Sequence, residues 1–343
     1  MTTSLYDRCA QDAAASVIVA YSTSFALASR LLGPRVRTHV RSVYALVRVA
    51  DEIVDGAADE ALVPAPTQRL LLDEFEAETL TAIARGFSTN LIVHAFALAA
   101  RECGIDGELV RPFFASMRTD LTRTEHDAQS HDAYVYGSAE VVGLMCLQVF
   151  VNAGRAVPET PSPELVEGAR RLGAAFQDVN FLRDRADDRG RLGRDYLGID
   201  GEASRAAVLA RIDHDLDVAA LAIPALPADC RRAVTTAHGL FAELAHRLHD
   251  DDRDDVRVSV PTAVKATIAA KAIAGLPRDG PTRERVGGRR RRRHRGARHG
   301  RAPRTRRVGG DTLRGAPRAG RPRRIVGARR LPLRHGAELV SHA

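Results

Sequence analysis

The chain has 343 residues, with 51 Lys+Arg against 43 Asp+Glu and a formal charge of +8, which by itself suggests a polyanionic partner. A hydrophobic content of 45% excludes disorder of the whole chain. Its four cysteines form no CxxC pair, which excludes a disulfide scaffold and a structural zinc site and fits a reducing cytoplasm.

The amino-terminal segment carries acidic residues early and has no basic stretch before its short apolar run, so we predict no signal peptide. The longest uninterrupted apolar runs reach about half of the 20 residues that a membrane-spanning helix requires. We therefore expect a cytoplasmic protein, and the alternative is peripheral contact with the inner face of the membrane.

Residues 1–277 have the periodicity of successive helices. Between positions 43 and 54, and again between 172 and 182, apolar residues recur every three or four positions, which marks one helical face. Further Ala- and Leu-rich stretches, each bounded by Gly or Pro, are 69–85, 90–103, 139–153, 203–221, 229–248 and 262–275. The sequence predicts an all-α, single-domain fold of about ten helices.

Residues 278–343 differ sharply in composition. They contain 22 Arg and four acidic residues, a net charge of +18, whereas residues 1–277 carry −10. This segment has no helical period and too few large apolar residues to offset the entropy of ordering, so we predict a disordered basic tail. All its basic residues are Arg, as out-of-frame translation of a GC-rich gene would give. A basic arm for nucleic acid or anionic lipid, and an inert solvated tail, are the alternatives.

The first candidate site is in SVYALVRVADEIVDG. Tyr44, Arg48, Asp51 and Asp55 are spaced four, three and four residues apart, so they share one helical face beside the apolar stripe. Two carboxylates one turn apart repel each other, and burying them is costly unless a cation joins them. An isolated DxxxD is weak evidence, because a surface helix with Arg48 as the ion-pair partner also accounts for it.

A second polar stripe is predicted in LGAAFQDVNFLRDRADDRGR. Gln177, Asn180, Asp184 and Asp188 recur at i, i+3, i+7 and i+11, again beside an apolar face. An amide pair followed by a second DxxxD on one face is unusual. We expect Asp178 to point elsewhere and to be solvated.

Two helices that each present an aspartate pair suit hard divalent cations. Magnesium prefers oxygen ligands, keeps several waters, and is usually held by one or two carboxylates together with substrate phosphates. Arg183 and Arg189 flank the second pair and can neutralise a phosphate. The pattern therefore indicates a metal-bridged diphosphate, with the metal acting as a Lewis acid on the leaving group.

Taken together, these motifs resemble the squalene/phytoene synthase family, the head-to-head branch of the all-α isoprenoid synthases. The matching segments run in the expected order from about residue 20 to 275. They are YSTSFALASRLL at 21–32, SVYALVRVADEIVD at 42–55, MRTDL at 117–121, YVYGSAEVVGLM at 134–145, FQDVNFLRDRADD at 176–188, GRDYL at 193–197 and a looser RVSVPTAVK at 257–265. The resemblance implies a helical bundle around a central cavity over residues 1–277.

The resemblance also implies roles for individual residues. It makes four residues metal ligands, namely Asp51, Asp55, Asp184 and Asp188. These four, with Tyr44 and Arg48, are the implied catalytic residues. The implied substrate-binding residues are Tyr21, Ser22, Thr23, Ser24, Tyr136, Gln177, Asn180, Arg183, Tyr196 and, with Arg257, the late basic residue Lys265. The implied cofactor is Mg2+ or Mn2+.

Two departures from the family pattern affect the diphosphate end of the site. The family often has Lys where Thr23 stands, so one diphosphate contact is missing. No tyrosine follows Tyr196, so a late tyrosine used by some members is absent.

The reaction implied is condensation of two prenyl diphosphates through a cyclopropylcarbinyl diphosphate. We favour geranylgeranyl diphosphate as substrate and phytoene as product. The alternative is squalene or dehydrosqualene synthesis from farnesyl diphosphate, and only the squalene route would use NADPH. We expect peripheral membrane contact for the lipophilic product and no specific nucleic-acid partner.

Two other functional classes are weighed against this one. A non-catalytic member of the same fold should have lost its metal aspartates, whereas all four are present. A nucleic-acid binder driven by the tail should show salt-dependent binding that disappears on truncation at residue 277.

Overall fold

The computed structural model describes residues 4–187, 196–197, 202–250 and 258–275, and no β-strand occurs within these ranges. The predicted tail, Asp188, Arg189 and Arg257 lie outside them. The helices are α1 (Leu5–Tyr21), α2 (Thr23–Arg30), α3 (Pro34–Val54), α4 (Ala57–Glu60), α5 (Ala65–Arg85), α6 (Leu91–Cys103), α7 (Gly107–Asp120), α8 (Ala128–Val135), α9 (Val141–Asn152), α10 (Pro163–Asp187), α11 (Glu202–Ala222), α12 (Ala228–Asp250) and α13 (Thr262–Ala274). The prediction of an all-α fold is confirmed.

Glycine and asparagine residues set several helix ends close to the predicted limits. Gly86 and Gly104 adopt φ values of +81° and +75°, and in this left-handed region they close α5 and α6. Asn90 caps α6 by accepting a hydrogen bond from Ile92 N at 3.1 Å. Helix limits read from these signals therefore agree with the structure to within a few residues.

The main apolar core lies among α3, α5, α6, α7 and α9. It contains fully buried Leu46, Leu72, Phe96, Phe113 and Met145. A second apolar cluster joins α10, α11 and α12. The cores hold the site-bearing faces of α3 and α10 in place from two sides.

The crossing of α9 over α10 depends on two glycines. A Cβ atom on Gly143 would lie 2.5 Å from Ala169 O, and one on Gly173 would lie 2.6 Å from Ala139 O. These distances are far below van der Waals contact, so the helices approach this closely only because both residues lack side chains. This crossing sets the position of α10 beside the rest of the bundle.

A short π-helical segment, Tyr136–Glu140, connects α8 to α9. The continuous helix Gln129–Asn152 that results is long and apolar enough to cross a membrane, judged by length and composition alone. Parts of it pack against α3, α7 and α10 within the bundle. The same composition therefore suits a core helix.

Candidate active site

The first predicted stripe lies on α3, as expected. Arg48 Nη1 is 3.9 Å from Asp51 Oδ2, and its Nη2 pairs closely with Glu52. The helix ends at Asp55, whose N–H donates to Asp51 O at 2.8 Å. The spacing read from the sequence thus brings both carboxylates to the carboxyl-terminal end of α3.

Glu52 has a structural role that the sequence did not reveal. Its Oε2 accepts a hydrogen bond from Ala57 N at 2.8 Å, while its Oε1 pairs with Arg48. A Cβ on Gly56 would lie 2.3 Å from the same carboxylate, so the turn after α3 requires glycine at that position. Glu52 thereby fixes both Arg48 and the loop that follows the first aspartate pair.

The predicted flap, Tyr21 to Ser24, comes next to this stripe. The guanidinium of Arg48 lies 4.5 Å from the centroid of the Tyr21 ring, a cation–π contact. Ser22 caps α2 by accepting a hydrogen bond from Phe25 N at 3.0 Å. The flap is therefore tied to α3 by Arg48.

Lys265 reaches the same place from the far end of the chain. Its Nζ donates a hydrogen bond to Thr23 Oγ1 at 3.2 Å across 242 residues. The structure thus brings a lysine ammonium to the flap position where the family often carries its own lysine. Together with Arg48, this puts two cationic side chains beside Tyr21 and Thr23.

The second stripe lies on α10, with Gln177 and Asn180 half-buried. Arg183 Nε donates to Asp184 Oδ1 at 2.9 Å, and a second close contact makes this pair bidentate. Asp188 is outside the described residues, so its place in the predicted DxxxD pair remains a prediction.

Asp178 differs from expectation. It does point away from the stripe, but it is 1% exposed rather than solvated. Its Oδ2 accepts a hydrogen bond from Arg211 Nε at 2.8 Å, and His131 Nε2 lies 3.1 Å from Oδ1. The expectation of solvation was wrong because α11, which packs closely on α10, supplies a cation that sequence periodicity does not reveal.

The helices that carry the two stripes, α3 and α10, are linked by aromatic contacts. Both helices pack on α9 but make at most marginal contact with each other. Phe25 from α2 bridges them, with ring centroids 6.1 Å from Tyr44 and 6.0 Å from Phe176. Phe176 in turn stacks on Phe241 at 3.7 Å. Phe25, Phe176 and Phe241 thus form an aromatic wall that contacts Tyr44 of the first stripe and adjoins Gln177 of the second.

The end of α7 carries an acidic residue that the sequence analysis did not assign to the site. Asp120, at the end of α7, accepts hydrogen bonds from Tyr134 Oη at 2.7 Å and Tyr196 Oη at 3.0 Å. The site prediction named Tyr196 and Tyr136 as substrate-binding residues. The Tyr136 ring packs against the main core, with the Arg170 guanidinium 5.7 Å from its centroid.

A sequence signal for Asp120 does exist. Val110, Phe113, Met117 and Asp120 follow a spacing of three, four and three residues, so the carboxylate continues the apolar face of its helix. An acidic residue on a core-facing stripe is costly to bury without partners, and this one is 5% exposed.

The carboxylates at this end perturb one another. Although 37% of its side chain is exposed, desolvation by the surrounding protein raises the pKa of Asp51 to about 7; Arg48 opposes the shift, while Asp55 and Asp120 add to it. Within the described ranges, no group of three or more His, Cys, Asp or Glu side chains is arranged to hold a metal ion. The described chain therefore offers pairs of carboxylates rather than a complete protein cage.

The raised pKa of Asp51 has a consequence for stability. Because the folded state binds this proton more tightly than the unfolded chain, whose ordinary pKa is 3.8, ionisation destabilises the fold as pH rises from about 4 to about 7. Solvent screening of this side chain, which is 37% exposed, reduces the size of the effect. In the presence of a chelator, Asp51→Asn is expected to raise the thermal unfolding midpoint, and more at about pH 8 than at about pH 5. Thermal denaturation of both proteins at each pH measures this. An equal difference at the two pH values would contradict it.

Comparison with known proteins identifies the family of the chain. The family model for squalene/phytoene synthase matches residues 18–201. A 15-cis-phytoene synthase of Paracoccus sp. is 28% identical over 279 residues, covering 74% of this chain and 87% of that enzyme. The chloroplastic phytoene synthase 1 of Arabidopsis thaliana is 31% identical over 195 residues, which is 56% of this chain but only 42% of the plant protein.

A solved structure supports the fold. A dehydrosqualene synthase crystallised with a ligand superposes with a TM-score of 0.64 at 20% identity, covering 78% of this chain and 97% of that one. The residues matched by the family model include both polar stripes and the flap, whereas Lys265 lies beyond them. The chain belongs to the squalene/phytoene synthase family.

Proposed function

We propose that this protein is a prenyltransferase that condenses two prenyl diphosphates head to head, and that its preferred reaction converts geranylgeranyl diphosphate to phytoene. The observation that carries the proposal is the set of contacts around the first stripe: Arg48 lies beside Asp51 and Tyr21, and Lys265 contacts Thr23. Phe25 links this stripe to α10, which carries Asp184. The phytoene synthases among its relatives support the choice of product.

The donor set at this site fits magnesium. Asp51, Asp55 and Asp184 offer only oxygen ligands, and the negative charges of Asp55 and Asp120 near Asp51 favour a cation at this end of α3. We propose that Asp51 and Asp55 hold Mg2+ from α3 and that Asp184, with Asp188, holds it from α10. When bound, the metal would supply Lewis-acid activation of the diphosphate leaving group.

The basic residues bind and orient the diphosphate. Arg48 is anchored by Glu52 and Tyr21, so its guanidinium is pre-positioned next to the first aspartate pair. Lys265 and Thr23 present an ammonium and a hydroxyl from the flap. Arg183 neutralises Asp184 in the absence of ligand and is placed to contact a phosphate that competes for it.

The aromatic wall protects the reactive cation. Once the bond between the allylic carbon and the diphosphate oxygen breaks, its electron pair leaves with diphosphate and a carbocation remains. Phe25, Phe176 and Phe241 would keep water away from this carbocation, and their rings offer no nucleophile. A hydrocarbon product of this size partitions into lipid, so peripheral membrane contact remains part of the proposal.

Substrate choice is tested by direct competition. The full-length chain is incubated with equimolar geranylgeranyl and farnesyl diphosphate and Mg2+, with and without NADPH, and hydrocarbons are identified by mass spectrometry. We expect phytoene in both conditions, because loss of a proton completes that reaction without a reductant. A C30 hydrocarbon as the sole product would overturn the choice of geranylgeranyl diphosphate. Squalene formed only with NADPH would assign the squalene route.

A further inference from the structure

Asp120 has two hydrogen-bond donors of the same kind. Tyr134 Oη and Tyr196 Oη donate to its two different carboxylate oxygens, at 2.7 Å and 3.0 Å. All three side chains are buried, with 5% to 7% of each residue exposed. The carboxylate therefore fixes the direction in which each of these phenol O–H bonds points.

The rings attached to these hydroxyls form a compact aromatic cluster. Phe181 from α10 stacks on Tyr196 at 4.2 Å, and the Tyr134 and Tyr196 centroids are 5.4 Å apart. Phe181 follows Asn180 in α10, so the cluster packs beside the second stripe. The Asp120 charge also acts on Asp51 of the first aspartate pair. The cluster is thus beside the end of the site where the diphosphate would leave.

The Tyr134 hydroxyl remains protonated in this setting. Burial and the Asp120 carboxylate raise the pKa of Tyr134 well above its ordinary value. A neutral phenol whose hydrogen is committed to Asp120 keeps its oxygen lone pairs and its electron-rich ring face available on other sides.

We propose that Asp120 is a positioning residue, which turns the hydroxyl hydrogens of Tyr134 and Tyr196 away from the substrate so that their oxygen atoms and rings stabilise the allylic cation. This inference rests on the proposed function. The carbon–oxygen bond to diphosphate breaks and its electron pair leaves with diphosphate; no proton moves to or from Asp120. The contribution is electrostatic, from oriented groups that are in place before charge develops.

The substitution Asp120→Asn separates this role from packing. Asparagine has nearly the same shape, but its amide offers one acceptor oxygen and two N–H donors, so one phenol must reverse its hydrogen bond. We expect kcat to fall by about 10-fold to 100-fold at saturating Mg2+, with KM for the prenyl diphosphate unchanged. The matched control is Asp132→Asn, which alters an exposed carboxylate on α8 and should leave kcat unchanged.

A spectroscopic readout does not depend on turnover. The chain has six Tyr and no Trp, so its near-ultraviolet absorption is dominated by phenol side chains. A phenol that donates to a carboxylate absorbs at longer wavelength than one that does not. The difference spectrum of Asp120→Asn against the native full-length chain should show a blue shift, and that of Asp132→Asn should not.

Variants of the donors test the coupling even where Asp120→Asn folds poorly. Tyr134→Phe and Tyr196→Phe remove only the hydroxyls and leave the stacked rings. If Asp120 acts through them, the losses in kcat will be non-additive, and Asp120→Asn will cost little more in the Tyr134→Phe, Tyr196→Phe background. Each of three results would overturn the proposal: native-level kcat in Asp120→Asn, native-level kcat in both single phenylalanine variants, or additive losses of kcat when the substitutions are combined. Failure of the proposed function is distinguishable, because the native chain itself would then form no prenyl product.

Discussion

Asp51→Asn is expected to lower kcat/KM for the prenyl diphosphate by at least about 10²-fold to 10³-fold. The substitution keeps the shape of the side chain but removes the negative charge that we assign to Mg2+. Asn is a weaker oxygen ligand for Mg2+. The positive charge of Arg48, 3.9 Å from the Asp51 carboxylate, would no longer be balanced by that carboxylate and would oppose metal binding. Initial rates across an Mg2+ titration measure the effect, and we also expect a higher Mg2+ concentration at half-maximal rate.

The control for this variant addresses both charge and folding. Asp12→Asn removes an exposed carboxylate from α1 and should leave kcat/KM unchanged. The Asp51 variant itself should unfold no more easily than the native chain near pH 8, because it lacks the carboxylate whose pKa is raised to about 7. Retention of native activity at native Mg2+ concentrations would rule out Asp51 as a ligand.

Gly173→Ala is expected to reduce the free energy of unfolding by about 1–3 kcal/mol and to reduce activity as well. The new methyl group would lie 2.6 Å from Ala139 O and 3.1 Å from Glu140 Cα, both backbone atoms that cannot rotate away. This clash outweighs the 0.5–1 kcal/mol or so by which alanine favours a helix over glycine. Since α10 also carries Gln177 and Asp184, moving it displaces the second stripe. Urea denaturation and initial rates on the same preparations measure both effects.

The matched control is Gly107→Ala, at the first position of α7. Its Cβ would meet only side-chain atoms, 3.3 Å from Arg111 Nε and 3.7 Å from Leu80 Cδ2. Alanine should therefore be neutral or slightly stabilising at this position. If Gly173→Ala behaved like Gly107→Ala, the close crossing of α9 and α10 would not set the position of the second stripe.

The fold was predictable because its signals are local. Apolar residues at helical spacing can be read directly from the sequence, and Gly and Pro end helices through their own backbone preferences. The α3 stripe was predictable for the same reason, since Tyr44, Arg48, Asp51 and Asp55 need only one helix to bring them to one face. Neither inference required knowledge of which helices pack together.

What the sequence did not reveal depends on helices that meet only after folding. Asp120 finds its two phenol donors 14 and 76 residues away, and Arg211 reaches Asp178 from 33 residues away. Periodicity places each of these side chains on a face but does not say what that face meets. Lys265, proposed from a loose motif match, gained its place only through the contact with Thr23.

The formal charge of +8 does not describe the charge of the candidate site. The formal charge of +8 reflects the arginines of residues 278–343, whereas the candidate site is an acidic cluster with Arg48 and Lys265 at its edge. A diphosphate bound partly through metal satisfies both sets of charges at once. The anion that this protein is expected to bind is therefore a small one.

The most direct test is product formation by the purified full-length chain supplied with geranylgeranyl diphosphate and Mg2+. Extracted hydrocarbons are identified by mass spectrometry, and released diphosphate is quantified in parallel. We predict a C40 hydrocarbon and two diphosphates per product molecule, both abolished by EDTA and restored by excess Mg2+. No hydrocarbon from either geranylgeranyl or farnesyl diphosphate, at any Mg2+ or Mn2+ concentration and with NADPH present, would contradict the assignment of this site as a head-to-head prenyltransferase.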